Sequence, residues 1–205
     1  MMRNHLVIFA RQPRLGRVKR RLAAGVGDVA ALRFYRTTLT DLLRRVGHDP
    51  RWTLWLAVTP DRAAGGRGWP REARRARILL QDGGDLGARM VRPWRTLPPG
   101  RVVVVGSDIP DVDAGRVAAA FRVLGRCAYV FGPAEDGGYW LVGARRRAPP
   151  PPGLFAGVRW STAHALADSL ATLPRGATVG FVDTLADVDD AAALARRRDR
   201  PVTKS

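Results

Sequence analysis

Asp108 follows a run of four valines, Val102–Val105, which lies between Gly100 and Gly106. A short, unbroken β-branched run is typical of a strand buried on both faces of a parallel sheet. Ligands of such sheets bind beyond the carboxyl ends of the strands, so Asp108 is expected at a ligand site, where its carboxylate could hold Mg²⁺ or Mn²⁺ against phosphates. The alternative is a local role, in which Asp108 caps the next helix or forms an Asx turn before Pro110.

A second candidate site is the basic loop ARQPRLGRVKRRLAAGVG, which follows the first apolar run. Basic side chains just after a first parallel strand lie at the carboxyl edge of the sheet. There Lys19 can act as a point charge on phosphate, and an arginine can bind it through two hydrogen bonds. The predicted nucleotide-binding residues of this loop are Arg11, Gly16, Lys19 and Arg21. The alternative is a basic surface turn before a helix. The glycine-rich dinucleotide and P-loop fingerprints are both absent, which argues against a Walker-type NTPase.

A glycine cluster, QDGGDLGARM, follows the predicted strand 78–80. Gly83 and Gly84 have no Cβ, so a flat or charged ligand could approach the backbone closely there. We predict that both glycines belong to the nucleotide-binding site. A tight turn without a ligand would explain the same residues.

Two adjacent carboxylates, Glu135 and Asp136, precede Gly137–Gly138 in the segment GPAEDGGYWLVGA. Paired carboxylates on a turn that faces a cleft could bind an acceptor hydroxyl, act as a general base or share a metal. We therefore group Asp136 with Asp108 and Lys19 as the candidate catalytic residues. The alternative is a β-turn that the acidic side chains stabilise by hydrogen bonds to the backbone.

Asp183 follows the predicted strand 178–182 in the same way as Asp108 follows its strand. This position makes Asp183 the preferred second metal ligand beside Asp108. The later acids, Asp187, Asp189 and Asp190, are interpreted as residues that cap and begin the final helix.

The elements that position these residues alternate along the chain between strand and helix. Strands are predicted at 5–10, 53–58, 78–80, 102–105, 128–131, 139–142 and 178–182, with covering helices that include 28–46 and 114–124. At 205 residues and 46% hydrophobic content, the chain can bury the core of one α/β domain spanning 1–205. A flexible tail is predicted from about residue 198.

The formal net charge is +17, which at first suggests nucleic-acid binding. Arginines are dispersed over nearly every segment, however, and no RRM, helix-turn-helix or zinc-finger signature occurs. We therefore expect no nucleic-acid partner, although a field of this sign would attract anionic small molecules such as nucleotides.

No apolar run approaches the roughly 20 residues that a membrane span needs, and the apolar run 6–10 is too short for a signal peptide core. We expect a cytoplasmic protein without a membrane span. The sequence leaves open whether the chain forms a homodimer.

Taken together, FARQPRLGRVKRRL, QDGGDLGARM, GSDIPD, GPAEDGGYWLVG, LFAGVRWST and VDTLADVD resemble, in this order, a family of bacterial GT-A-like proteins, the nucleotide-diphospho-sugar transferases. The chain is similar, more distantly, to the 2-phospho-lactate and molybdenum-cofactor guanylyltransferases. The resemblance implies a Rossmann-like three-layer α/β sandwich with a mostly parallel sheet and a nucleotide over the first strand. It also implies Mg²⁺ or Mn²⁺ at Asp108, with Arg11, Lys19 and Arg21 matching the basic loop and Asp183 the C-terminal acid.

The leading functional prediction is a metal-assisted transferase that uses a nucleotide-activated donor, foremost a glycosyltransferase dependent on a nucleotide sugar. Such chemistry depends on electrostatic stabilisation of the diphosphate more than on a covalent nucleophile. The alternative is a guanylyltransferase-like nucleotidyltransferase that uses an NTP and a small phosphorylated or anionic acceptor. The sequence leaves the acceptor unidentified, and a non-catalytic regulator with the same fold is a further alternative.

Overall fold

The structure is a computed structural model that describes residues 2–199. The tail predicted from about residue 198 lies almost wholly outside the described residues. The described residues include seven strands: β1 (Arg3–Arg11), β2 (Thr53–Thr59), β3 (Arg77–Leu80), β4 (Gly100–Gly106), β5 (Tyr129–Pro133), β6 (Tyr139–Arg146) and β7 (Val179–Phe181). The α-helices are α1 (Arg20–Val26), α2 (Asp28–Val46), α3 (Leu86–Thr96), α4 (Ala114–Val123), α5 (Ala165–Ala171) and α6 (Ala191–Asp199).

The strands form one sheet in the order β3-β2-β1-β4-β6-β5-β7. The strand β6 is antiparallel to both of its neighbours, and the remaining strand pairs are parallel. The two strands that precede the candidate site residues, β1 and β4, pair with each other in the middle of the sheet. The predicted mostly parallel sheet is therefore confirmed, and the carboxyl ends of β1 and β4 lie at the same edge.

Helices cover both faces of the sheet, as the alternating burial of β4 shows. Val103 and Val105 belong to the core that contains the buried residues of α2 and α4. Val102 and Val104 belong to the opposite core, with the buried residues of α3 and α5. All four valines are at most 4% exposed, which explains why an unbroken valine run is needed here rather than an alternating strand. The predicted three-layer α/β sandwich is confirmed.

Within residues 2–199, no helix combines the length and the apolar content that crossing a membrane requires.

Candidate active site

Asp108 lies just beyond the carboxyl end of β4, and the capping role suggested for it belongs to another residue. Asp113 is the N-cap of α4, where its Oδ1 accepts a hydrogen bond of 2.8 Å from the Arg116 amide. The Asp108 carboxylate instead reaches toward the basic loop, where its Oδ2 lies 2.8 Å from Lys19 Nζ. The structure thus brings together two of the predicted catalytic residues.

Lys19 connects the basic loop with two acidic segments. Its backbone has a left-handed conformation (φ 47°, ψ 51°) at the start of α1, and its side chain is only 5% exposed. Nζ lies 2.6 Å from Asp189 Oδ1 as well as 2.8 Å from Asp108 Oδ2. Burial alone would lower the pKa of Lys19, but the two carboxylates outweigh it and raise the pKa above the usual value. Lys19 is therefore held as a cation at the edge of the sheet.

Tyr35, on α2, ties the end of β1 to the end of β4. Its hydroxyl accepts from the Arg11 amide at 2.9 Å and donates to the Arg11 carbonyl at 2.9 Å. Ser107 Oγ lies 3.0 Å from the same hydroxyl, and since the Tyr35 proton is already engaged, Ser107 is the donor. Burial raises the pKa of Tyr35 to about 12. This bridge keeps the basic loop aligned with the Asp108 loop.

Three cavities meet at this edge of the sheet. The first, the basic cleft, has a volume of about 290 Å³, and its lining includes Arg11, Arg17, Lys19, Arg89 and Asp108. The second, the apolar pocket, has a volume of about 220 Å³, and its lining includes Phe9, Met90, Tyr139, Trp160, Asp108, Asp136 and Asp187. The third, the outer pocket, has a volume of about 410 Å³, and its lining includes Arg21, Asp136, Asp187 and Asp189. Asp108 lines both the basic cleft and the apolar pocket, so the two are contiguous.

The predicted residues of the basic loop are distributed between these cavities. Arg11 and Lys19 line the basic cleft. Arg21 lines the outer pocket, where its side chain is 68% exposed and its NH1 lies 3.7 Å from Asp189 Oδ2. Gly16 lines none of the three cavities; with φ 68° it bends the loop.

Gly83 and Gly84 are also absent from the lining of the three cavities. The Gly83 amide donates a hydrogen bond of 2.7 Å to Asp82 Oδ1. Gly84 has a φ of 98°, and its carbonyl accepts a hydrogen bond of 3.0 Å from Arg89 Nε. The glycines thus form a tight turn that leads into α3, and this turn places Arg89 in the basic cleft.

Asp183 does not lie with Asp108. Its carboxylate is 72% exposed, with Oδ2 3.7 Å from Arg116 Nε, and it lines none of the three cavities. Asp187 instead lines the apolar pocket together with Asp108. The reason is that the chain continues beside β5 after β7 ends: the Leu185 amide donates to the Pro133 carbonyl at 3.1 Å. The chain therefore stays extended as far as Leu185. As a result Asp187, rather than Asp183, lies at the pocket.

Asp187 lines the candidate site, whereas the sequence pattern predicted that it caps or begins the final helix. Burial and the nearby charges of Asp189 and Asp136 raise its pKa to about 6. The capping prediction is confirmed for Asp190, whose Oδ1 accepts a hydrogen bond of 2.7 Å from the Ala193 amide in α6. The acids between residues 183 and 190 thus divide between the candidate site and the helix, and residue type alone does not reveal which acid lies where.

Asp136 lies on the turn between β5 and β6, as predicted. Its Oδ1 accepts a hydrogen bond of 2.9 Å from the Gly138 amide. Gly137 adopts φ 84°, and its carbonyl accepts 3.1 Å from the Leu166 amide at the start of α5. The turn thereby directs Asp136 to the lining of the apolar and outer pockets, facing the same space as Asp187.

The carboxylates fit a divalent cation that a substrate shares. Among residues 2–199, no group of three or more His, Cys, Asp or Glu side chains is arranged as a metal centre. Mg²⁺, however, is commonly bound by one or two carboxylates together with substrate phosphates. Asp108 and Asp187 line one pocket, and burial together with the charges of Asp189 and Asp136 raises the pKa of Asp187. These two residues could supply the protein ligands.

Solved structures share this fold over nearly the whole chain. A protein from Desulfovibrio desulfuricans G20, assigned as a nucleotide-diphospho-sugar transferase, matches with a TM-score of 0.83 and 28% identity, covering 99% of this chain and 90% of that one. The 4-diphosphocytidyl-2C-methyl-D-erythritol synthase of Anaerococcus prevotii DSM 20548 matches with a TM-score of 0.60 and 10% identity, covering 96% of both chains. At this lower identity the likeness concerns the fold alone.

A third structure, the Mycobacterium tuberculosis glucosyl-3-phosphoglycerate synthase in complex with Mn²⁺, UDP and glucosyl-3-phosphoglycerate, matches with a TM-score of 0.52 and 12% identity, covering 98% of this chain and 82% of that one. The fold is therefore that of the nucleotide-diphospho-sugar transferases, as the sequence resemblance implied. Within that class, the chain belongs to the family described as "Uncharacterized protein conserved in bacteria (DUF2064)", whose profile matches residues 42–162. No curated protein sequence matches the chain.

Proposed function

We propose that this chain is a metal-assisted transferase that uses a nucleotide-activated donor, with a nucleotide sugar as the preferred donor. The observation that supports this most is the position of Asp108, which lines both the basic cleft and the apolar pocket. One carboxylate thus lies between the space suited to a diphosphate and the space suited to an acceptor. The transfer would occur at this junction.

The basic cleft would hold the donor phosphates. Arg11, Arg17, Lys19 and Arg89 line it, so positive charge surrounds the position of the diphosphate. These groups would stabilise the negative charge that develops as the nucleoside diphosphate leaves. Lys19 has the most fixed position of these groups, because its Nζ is held by Asp108 and Asp189.

Mg²⁺ or Mn²⁺ is the cofactor that we propose for Asp108 and Asp187. When bound, such an ion would supply Lewis-acid stabilisation of the diphosphate oxygens. The two carboxylates would hold the ion at the sheet edge, and Lys19 would offset the charge of Asp108.

The apolar pocket would hold the acceptor, and Asp136 is the proposed general base. Asp136 would take the proton from an acceptor hydroxyl as that oxygen attacks the sugar carbon. The bond between this carbon and the phosphate oxygen breaks, and the electron pair leaves with the nucleoside diphosphate. Phe9, Met90 and Trp160 would exclude water from the reacting groups.

The charge of the apolar pocket favours sugar transfer over nucleotidyl transfer. An anionic acceptor, as a guanylyltransferase-like reaction requires, would meet the carboxylate of Asp136, which the proposed ion does not neutralise. Like charges at short range disfavour such binding, whereas a neutral hydroxyl compound meets no such barrier. An NTP-dependent nucleotidyltransferase is the second candidate, and the donor preference separates the two.

Isothermal titration of the full chain with UDP-glucose, GDP-mannose, GTP and CTP, with and without Mg²⁺ or Mn²⁺, tests the proposal. We expect metal-dependent binding of a nucleotide sugar, lost in Asp108→Asn and Asp187→Asn and retained in Asp183→Asn, the matched control. Tighter binding of an NTP than of any nucleotide sugar would favour nucleotidyl transfer. Absence of nucleotide binding under all conditions would refute both readings.

A further inference from the structure

A large cavity lies at the opposite edge of the sheet from the candidate active site. Its volume is about 1050 Å³, and it is lined by the amino-terminal residues of β1, β2, β3 and β4, including His5, Trp55, Arg77 and Arg101. Residues of α4 and the following loop complete the wall. Substrates of open α/β sheets bind at the carboxyl edge, so this cavity, here called the amino-edge pocket, is separate from the proposed reaction.

Arginine dominates the lining of the amino-edge pocket. Six arginines line it, and none of the lining residues is Asp or Glu: Arg3, Arg51, Arg77, Arg101, Arg122 and Arg126. Within residues 2–199, Arg51 is the single member of this set with a carboxylate partner, Asp49. Five guanidinium groups thus converge on one cavity without a counter-charge from the described chain. Like charges repel unless an anion lies between them, so the arrangement favours a bound anion.

Buried polar groups in this pocket also lack partners. His5 is 2% exposed, and its Nδ1 accepts a hydrogen bond of 3.2 Å from Trp55 Nε1. The hydrogen of the neutral ring must therefore be on Nε2, which has no hydrogen-bond partner among the described residues. Arg101 Nε is buried in the same unpaired state. Both atoms are covered by the surrounding protein, so they belong to the floor of the pocket rather than to its open surface.

Aromatic side chains fix part of the basic wall. The Arg77 guanidinium lies 5.4 Å from the centroid of the Trp55 ring, and the Arg51 guanidinium lies 5.1 Å from that of Trp52. Stacking of this kind holds a guanidinium in place while its N–H groups stay available to an anion. The wall is therefore ordered before a ligand arrives.

We propose that the amino-edge pocket binds a small anion with several phosphate groups, held by the guanidinium groups of Arg77 and Arg101 beside the His5 ring. Guanidinium groups bind phosphate through paired, charge-assisted hydrogen bonds, which suits a ligand with several phosphate oxygens. The pocket is open to solvent, with four strand ends and a helix along its lining, so a phosphorylated molecule can enter it directly. Inorganic polyphosphates and the phosphate chains of free nucleotides share the required chemistry.

Titration calorimetry of the full chain with tripolyphosphate at physiological salt tests this site. We expect Arg77→Gln/Arg101→Gln to weaken binding at this site about tenfold or more, since each lost guanidinium contact is charge-assisted. The control Arg36→Gln/Arg175→Gln removes the same charge from exposed positions outside the pocket and should leave binding unchanged. Equal losses in the two double variants would overturn the proposal. Thermal melting establishes that each variant is folded, and Arg126→Gln replaces the pair if it is not.

The NMR signal of the His5 ring gives a second readout in the unmodified protein. Tripolyphosphate should shift the Nε2 resonance of His5 and leave that of the exposed His164 in place. ATP should shift the same His5 resonance to a similar extent if the pocket recognises the phosphate chain. No shift of His5 with either probe would overturn the proposal, as would binding of a DNA duplex without binding of tripolyphosphate. Loss of nucleotide-sugar binding in Asp108→Asn has no bearing on this outcome, so the two proposals fail separately.

Discussion

Lys19 Nζ lies 2.8 Å from Asp108 Oδ2, a contact that joins the loop after the first strand to the loop after the central strand. The pairing of β1 with β4 makes this contact available, because both strands end at the same edge of the sheet. The cation proposed to bind phosphate and the acid proposed to bind a metal ion thereby lie in direct contact. The geometry of the proposed donor site depends on this pair.

Lys19→Met should weaken binding of the nucleotide donor by about 10- to 100-fold, the range expected for loss of one charge-assisted contact. The measurement is titration calorimetry with the donor identified for the wild type. Arg20→Met is the matched control, since Arg20 is the exposed neighbour and carries the same charge. Equal effects of the two substitutions would show that net charge, rather than the Lys19 position, governs binding.

Tyr35→Phe should lower the free energy of unfolding by about 1–3 kcal/mol, because the Arg11 amide and carbonyl lose their buried partner. Urea denaturation measures the change. Tyr129→Phe removes a hydroxyl that has no hydrogen bond among the described residues, and it should have little effect. A Tyr35→Phe variant as stable as Tyr129→Phe would contradict the bridging role.

Much of the fold could be predicted from residue patterns, because the residue types within each strand indicate whether one face or both faces of the strand are buried. The valine run of β4 is buried on both faces, and that pattern alone places Asp108 at the carboxyl edge of the sheet. The basic loop follows β1 directly, so Lys19 was predictable by the same reasoning. Asp108 lies two residues beyond the end of β4, and Lys19 lies eight residues beyond the end of β1.

The acidic part of the site was less predictable, because it depends on contacts between distant segments. Asp183 follows β7 directly, yet the hydrogen bond from the Leu185 amide to the Pro133 carbonyl extends the chain alongside β5 and carries Asp187 to the pocket. Gly83 was assigned to a ligand, but its amide is used within the turn itself. A sequence pattern shows where a glycine permits close approach of a ligand to the backbone. It does not show whether the backbone amide is already hydrogen-bonded within the chain.

Asp136→Asn should reduce kcat of the proposed transferase by about 100-fold or more while the donor affinity stays near that of the wild type. General-base catalysis contributes on this order, and the amide retains the shape of the turn. Glu135→Gln is the control, since Glu135 lines the outer pocket and Asp136 lines both pockets. A parallel loss of donor affinity would instead assign Asp136 to donor binding.

Gly137→Ala should destabilise the turn that positions Asp136. A left-handed residue with a Cβ costs about 1–2 kcal/mol, and here the added Cβ would also lie 2.3 Å from the Ala163 carbonyl oxygen. Gly153→Ala is the matched control, because Gly153 has a similar φ of 74° with nothing within 4 Å of an added Cβ. Urea denaturation should show a larger loss of unfolding free energy for Gly137→Ala than for Gly153→Ala. Equal losses would mean that the contact with the Ala163 carbonyl oxygen adds no cost.

His5 should make the protein less stable in mild acid. Burial lowers the pKa of His5 below its usual 6.5, and the charges of Arg3, Arg146 and Arg77 lower it further. As the pH falls below 6.5, the unfolded chain therefore takes up a proton at this residue more readily than the folded chain does, and the free energy of unfolding falls. In His5→Phe this proton is absent from both states. Urea denaturation of both proteins across this range should show the stability advantage of the wild type over His5→Phe shrinking toward acid pH. A pH-independent difference between the two proteins would mean that His5 is protonated equally in the folded and unfolded chains.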